Sequence, residues 1–286
     1  MKEILLEING KTITLPNSWD TISQEDYLVI VKALVELYQG RITPNEVLCR
    51  YVCSALGLSF HKIVKKHHVA DLLSIASLVS FIFDRKSLAP KISFARQFVP
   101  RLAGFASYSI STECSCLTCS LSALQYIEAV RAMEAGEAQM PLLAATLYCP
   151  QPYDTAKALD MVPVMRKQSP VDLLAVRMVF EALVNFIYSR THFSILAKFK
   201  AKSQSPIATT MADSLFDLAT EGYGTVGEVE QINVITYLSI LRKKTIDTVL
   251  SMRSMEMSTP EIASRTSLPI EVINDIVHPA PTTVEK

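Results

Sequence analysis

Apolar positions change period along the chain, and each change marks an element. Glu3 to Ile8 and Lys11 to Leu15 are two short β-prone runs flanking Asn9-Gly10, a pair whose tolerance of positive φ suits a type I′ hairpin turn. Pro16 closes the hairpin, and Asn17 to Ile22 lead to Ser23, which is placed as a helix N-cap with Asp26 at the third position. Tyr27, Ile30, Val31, Leu34, Val35 and Tyr38 then fall on one helical face, and Gly40 stops it. Val47, Leu48, Tyr51, Val52, Ala55 and Leu56 recur at three- and four-residue steps before Gly57, predicting a second helix. A third is expected from Val69 to Phe83.

Residues 87–113 lose helical periodicity, with Pro90, Pro100, Gly104 and many serines, and the main lobe boundary is expected there. Beyond it, Leu121, Leu124, Ile127, Val130 and Met133 mark a helix, and Met140 to Tyr148 a short one before Cys149-Pro150. Residues 154–162 supply another. Ser169-Pro170 caps the longest candidate, Val171 to Phe199, whose Leu174, Met178, Phe180, Leu183, Val184 and Ile187 are apolar and whose Arg177 and Glu181 sit four apart on an outer face. Lys198, Lys200 and Lys202 close it, as the helix dipole prefers. Residues 207–220 and 228–256 predict two more helices, the second carrying Val234, Tyr237, Leu238, Leu241, Ile246 and Leu250. The pattern therefore predicts a mainly α, irregular multi-helix protein with a short N-terminal β-hairpin and a C-terminal helical hairpin. Its organisation reads as a hairpin and helical lobe over 1–86, an irregular linker over 87–113, a helical lobe over 114–256, a helix-turn-helix-like hairpin over 257–278 and a disordered tail over 279–286.

Composition narrows the function classes. A chain of 286 residues can bury about three quarters of the surface its unfolded form exposes, so no disulfide or metal staple is required. Lys and Arg number 28 against 28 Asp and Glu, and the resulting zero net charge argues against gripping nucleic acid over a whole face. The start, Met1-Lys2-Glu3-Ile4, lacks an apolar region followed by small residues, so no export signal is expected. Without one, the six cysteines read as free thiols. The longest apolar stretch, Val69 to Phe83, is too short to span a membrane and is interrupted by Asp71.

Four segments invite a chemical reading. Gly222-Tyr223-Gly224-Thr225-Val226-Gly227 matches the G-x-G-x-x-G dinucleotide pattern, and Asp247 lies 20 residues beyond its last glycine. That pattern works only when a strand delivers the chain to a helix N-terminus, whereas Met211, Leu215, Leu218 and Ala219 precede it at helical spacing. A helix C-cap and turn is expected instead. Cys114, Cys116 and Cys119 put three thiols in six residues, with Cys149, Cys53 or His61 as candidate fourth metal ligands, but the second ligand pair typical of a structural zinc site is absent. Cys49 and Cys53 are expected at a core edge. His61 to His68 is the densest basic run, with Arg242, Lys243 and Lys244 a second; neither carries interleaved aromatics for base stacking. Finally, Ser258 to Val277 has helix-turn-helix spacing, with Ile262, Ala263, Leu268, Val272 and Ile276 as its small core. Its second helix offers Glu271, Asn274 and Asp275, and carboxylates there repel phosphate. No paired carboxylates, G-x-S-x-G elbow, H-E-x-x-H pair or phosphate loop occurs, so no catalytic, cofactor-binding or metal-binding residue is nominated.

The opening hairpin with Leu15-Pro16-Asn17-Ser18-Trp19-Asp20-Thr21-Ile22-Ser23, the segment Leu142-Leu143-Ala144-Ala145-Thr146-Leu147-Tyr148-Cys149-Pro150 and the stretch Val229 to Leu238 together resemble helical proteins encoded by tailed phages and prophages of gut bacteria. In those relatives a basic residue often stands where Cys149 precedes Pro150, and the helix-turn-helix-like tail is not a usual part. The resemblance implies a non-enzymatic role in virion morphogenesis, as a tail assembly chaperone or minor tail component. Its partners would be other phage structural proteins such as a tape measure, or further copies of itself. Its place would be the host cytoplasm during assembly, or the virion. A DNA-binding regulator using residues 255–277 and a metal protein built on Cys114, Cys116 and Cys119 are the alternatives from other classes.

Overall fold

The computed structural model describes residues 2–8, 10–65, 68–84, 86–87, 90–91, 93, 96–112, 116–199 and 213–278. Among these the protein is mainly α-helical, with thirteen α-helices and the N-terminal antiparallel hairpin. No helix among the described residues is long and apolar enough to cross a membrane. The chain forms two compact units, one of Met1–Ser111 with Glu128–Leu183 and one of Thr112–Ile127 with Val184–Lys286. This differs from the boundary expected across residues 87–113, and the reason is specific bonding. Within the first unit the Tyr148 hydroxyl donates to the Val99 carbonyl at 2.5 Å, and the Tyr108 ring meets Phe180 edge-on at 6.4 Å.

In the first unit β1 (Glu3–Ile8) pairs with β2 (Lys11–Pro16) so that Ile4 faces Leu15 and Leu6 faces Ile13, with Gly10 at φ 72° in the turn. One sheet face is thus apolar, and Leu15 at its root is fully buried. Asn9 of the expected turn lies outside the described residues. The first helix, α1 (Gln24–Tyr38), starts where its cap predicts, since the Asp26 N–H donates to Ser23 Oγ at 3.0 Å. The buried Asp26 carboxylate accepts from Ser23 Oγ at 2.7 Å and from Ser54 Oγ of α2 (Pro44–Ala55) at 2.6 Å, which satisfies it and ties the two helices. Arg50 adds a second tie, reaching Glu36 at 2.8 Å and Glu46 at 2.7 Å.

After α3 (Phe60–Lys65), α4 spans only Val69–Ala76, shorter than the helix expected through Phe83. Distant groups capture the remainder. Asn17 Oδ1 accepts the Ser80 N–H at 2.9 Å, Trp19 meets Phe81 edge-on at 5.0 Å, and the Trp19 indole donates to the Lys91 carbonyl at 2.8 Å. Val79, Phe81, Ile82 and Phe83 are therefore buried without being helical. Short strands β3 (Arg101–Leu102) and β4 (Phe105–Ala106) pair around Ala103 and Gly104, both at positive φ. Two more short strands follow, β5 (Ile110–Ser111) in the region expected to be irregular and β6 (Thr118–Cys119) at the start of the segment expected to be helical.

Four helices come next, α5 (Ala123–Glu134), α6 (Met140–Tyr148), α7 (Thr155–Met165) and α8 (Pro170–Arg190). The last ends before the expected Phe199 and gives way to a 3-10 stretch, His192–Phe199. Thr191 Oγ1 donates to the Ile187 carbonyl at 2.5 Å and accepts the Phe193 N–H at 3.1 Å, a local bonding pattern that competes with the α ladder.

In the second unit α9 (Asp213–Thr220) begins after the undescribed residues, so the expected start at 207, like Lys200, Lys202 and the tail at 279–286, lies outside the described residues. The single helix expected over 228–256 is two, α10 (Val226–Gln231) and α11 (Val234–Ser254). The break is bonded to the segment before α5. The Ala123 N–H donates to the Ile232 carbonyl at 2.7 Å, the Val234 N–H to the Leu121 carbonyl at 2.9 Å, and Asn233 Nδ2 to the Cys119 carbonyl at 2.5 Å while its Oδ1 caps α11. Two short helices, α12 (Thr259–Thr266) and α13 (Ile270–Val277), then fold onto α11 around Val249, Ile262, Leu268, Val272 and Ile273. Ile262, Leu268 and Val272 are the expected members of this core, Ile273 takes the central place on α13, and Ala263 and Ile276 are only partly buried beside it.

Candidate partner-binding groove

A concave surface lined by apolar side chains lies in the first unit, where residues of α5, α6 and α7 border an open groove of about 340 Å³. Its apolar lining combines the small side chains of Ala132, Ala135 and Ala158 with those of Leu142 and Leu159. Leu159 is 54% exposed, a large apolar side chain left uncovered at the groove edge. Polar groups sit around it at Glu128, Arg131, Gln139 and Thr155.

The polar rim is locally organised. Asp154 caps α7 by accepting the Ala156 and Lys157 N–H groups at 2.8 and 3.1 Å, which brings Thr155 and Tyr153 beside α5. Both hydroxyls donate to the same carboxylate, Tyr153 to Glu128 Oε2 and Thr155 to Glu128 Oε1, the latter at 2.9 Å. Tyr153 is buried, and burial followed by its bond to Glu128 holds its phenol protonated far above the ordinary value. Each Glu128 oxygen is thereby committed. Arg131 is exposed and has no ion-pair partner among the described residues, so the rim carries one unpaired cation beside one hydrogen-bonded carboxylate. Behind the groove Cys149 is buried, its thiol directed to the Asp154 carbonyl at 3.8 Å and pushed up by burial, which keeps it a thiol and a poor nucleophile. The arrangement holds apolar side chains; it places no activated nucleophile beside a base.

None of the groove residues was singled out by sequence reasoning, although Leu142 and Thr146 belong to the segment Leu142 to Pro150 that carries the phage resemblance. The segments that were singled out are dispersed. Gly222 and Gly224 have φ of 89° and 133° and follow α9, not a strand, while Thr225 forms a reciprocal capping box with Glu228 at the start of α10. This is the helix C-cap and turn that the spacing predicts. Of the cysteine run, Cys116 is exposed, Cys119 is buried with its thiol pushed up to about 11 by desolvation, and Cys114 lies outside the described residues. Among the described residues no three His, Cys, Asp or Glu side chains are grouped to hold a metal ion. Cys49 and Cys53 are buried on α2, and desolvation pushes the Cys53 thiol up to about 11. His61, Lys62 and Lys65 are exposed on α3, with Lys66 and His67 outside the described residues. In the second basic run, Arg242 donates to the His192 carbonyl at 3.2 Å and Lys244 pairs with Glu221 at 2.5 Å, leaving Lys243 exposed. Burial and the nearby Arg242 hold the His192 imidazole below its ordinary pKa.

No family model, curated protein or solved structure matches the chain.

Proposed function

We propose that the protein is a non-enzymatic assembly factor of tailed-phage particles, a tail assembly chaperone or minor tail component that acts through protein contacts. The observation that carries this reading is the groove of α5, α6 and α7, because α6 belongs to the segment with the phage resemblance and also lines an apolar surface with Leu142 and Thr146. A groove bordered by helices receives a further helix by its apolar stripe, the way many helical segments are held by their partners. A long tail protein such as a tape measure exposes such stripes before incorporation, and sequestering them keeps it from aggregating. The alternative of a DNA-binding regulator draws on the helix-turn-helix geometry of α12 and α13, and the carboxylates of that surface weigh against it.

Affinity capture of the tagged full chain from phage-infected cells, read by quantitative mass spectrometry, tests the reading. A tail protein recovered in fixed proportion to the chain is expected. Recovery of the chain with no tail protein overturns it.

A further inference from the structure

We infer that α3, α4 and the turns beside them dock on an anionic lipid bilayer, lying in its headgroup layer without crossing it. This goes beyond the groove of α5, α6 and α7 and does not depend on it. Both helices pack against α2. On α3 the packed side is Phe60, with the Arg50 guanidinium of α2 5.7 Å from its ring, and the half-buried Ile63. On α4 it is Leu72 and Ala76, four residues apart and buried.

The remaining sides stay uncovered, and they are apolar. Leu58, Val64, Val69, Leu73 and Leu78 are 37–48% exposed, so five of the fourteen exposed large apolar side chains among the described residues fall within residues 58–78. Such side chains scattered singly are ordinary, whereas a concentration of them marks an interaction surface. Val69 and Leu73 stand one turn apart on α4, beside the buried stripe of Leu72 and Ala76. The two helices meet closely, since the His68 N–H donates to the Ile63 carbonyl at 3.3 Å, and Val64 and Val69 are the next residues after that bonded pair.

Cations are interleaved with these side chains. Lys62 and Lys65 are exposed on α3, and neither has an ion-pair partner among the described residues. From Leu58 to Leu78 the sequence holds three lysines and three histidines against one carboxylate, Asp71, in a chain whose net charge is zero. Asp71 itself lies 3.6 Å from the His68 ring.

Uncovered apolar side chains among unpaired lysines call for a partner that offers negative charge and hydrocarbon together. An anionic bilayer does so: its surface potential attracts each lysine, and the boundary between headgroups and acyl chains takes shallow Val and Leu side chains. Being fluid, it needs no matching shape. A nucleic acid offers phosphates but nothing for Val69 or Leu73, and Phe60, the one aromatic residue of α3 and α4, is half-buried beside Arg50 and gives a base no open face. An acidic protein helix seats its apolar stripe in a groove, and α3, six residues long, makes a poor wall for one.

The full chain is mixed with sucrose-loaded vesicles of phosphatidylcholine, with or without phosphatidylserine, and the bound fraction is read by sedimentation at low and high salt. A DNA duplex and a synthetic amphipathic Leu/Glu helix are titrated in parallel by fluorescence anisotropy. The chain is expected to bind the phosphatidylserine vesicles at least about tenfold more tightly than phosphatidylcholine alone, and less tightly at high salt. K62E/K65E is expected to weaken that binding by at least about tenfold, through the charge, and V69Q/L73Q by about tenfold, through the apolar contact. Both variants are expected to keep the circular dichroism spectrum because the positions are exposed. As a control, K167E/K243E reverses two exposed lysines elsewhere and is expected to leave vesicle binding unchanged. Equal binding of both vesicle types, unchanged binding by K62E/K65E or by V69Q/L73Q, or an equal loss in the control would each overturn the assignment. So would binding of the duplex or the Leu/Glu helix without binding of the phosphatidylserine vesicles.

Discussion

Replacing Tyr153 by Phe removes a donor from the Glu128 carboxylate, together with the hydroxyl's bond to Thr146, and keeps the ring, which makes it a direct probe of the groove rim. In the folded chain the Tyr153 hydroxyl donates to Glu128 Oε2 from a side chain only 3% exposed, and Thr155 donates to Oε1 at 2.9 Å. A hydrogen bond to a charged group contributes about 1.5–3 kcal/mol. Glu128 is half-buried, so water replaces part of the lost donor and the lower end, about 1.5 kcal/mol, is the expected loss for Y153F. E128Q keeps the shape and weakens the acceptor. If the two groups act on each other, the double variant Y153F/E128Q loses less than the sum of the singles, with a coupling of about 1 kcal/mol. Because the chain forms two compact units, a global melt does not isolate the effect, and amide hydrogen exchange over α5 to α7 does. A loss of about 1.4 kcal/mol speeds exchange there about tenfold. Additivity of the two single variants within about 0.3 kcal/mol would show that the Tyr153–Glu128 bond does not organise the rim.

Other expected outcomes follow from the second unit. Ile262 is fully buried in the core of α11, α12 and α13, so I262A is expected to destabilise that cluster by about 2–5 kcal/mol, seen as loss of exchange protection in α12 and α13 while α1 and α2 keep theirs. Ser267 has φ 57°, where only glycine is free of a Cβ penalty, so S267G is expected to stabilise the same cluster by about 0.5–1 kcal/mol in the same exchange measurement. Glu261, at the start of α12, is held below its ordinary 4.5 by the Ser258 hydroxyl and then by the Ser258 N–H. The folded form thus binds this proton more weakly than the unfolded one, and the contribution is present above pH 4.5 and lost as the pH falls through the lower folded value. The melting temperature of the cluster is expected to drop over that acid range in the unaltered chain and to drop less in E261Q.

Local signals proved legible because they act within a few residues. The Ser23 cap, Gly10 at positive φ between the paired strands and the spacing of Ile262 and Leu268 each specify their element without help from distant chain. Long-range bonds account for what was not legible. Val79 to Phe83 are as apolar as a helix requires, yet bonds and ring contacts with Asn17 and Trp19, about sixty residues earlier, hold that segment out of a helix. Asn233 interrupts an otherwise continuous apolar period because Leu121 to Ala123 supply bonds to its backbone neighbours. The groove left no sequence signal at all, since alanines on α5 and α7 are ordinary helix residues until the two helices are brought together across the chain.

If the groove of α5, α6 and α7 receives a tail protein, as proposed, blocking the groove removes that protein from what the chain captures. Ala135 is exposed and lines the groove, so A135W crowds the groove without disturbing the buried core. The unaltered chain and A135W, expressed at equal levels in infected cells and shown to share one circular dichroism spectrum, are captured side by side. The account predicts that the tail protein recovered with the unaltered chain falls at least about tenfold with A135W, the effect of losing about 1.4 kcal/mol or more of contact. Equal recovery with both chains would contradict it.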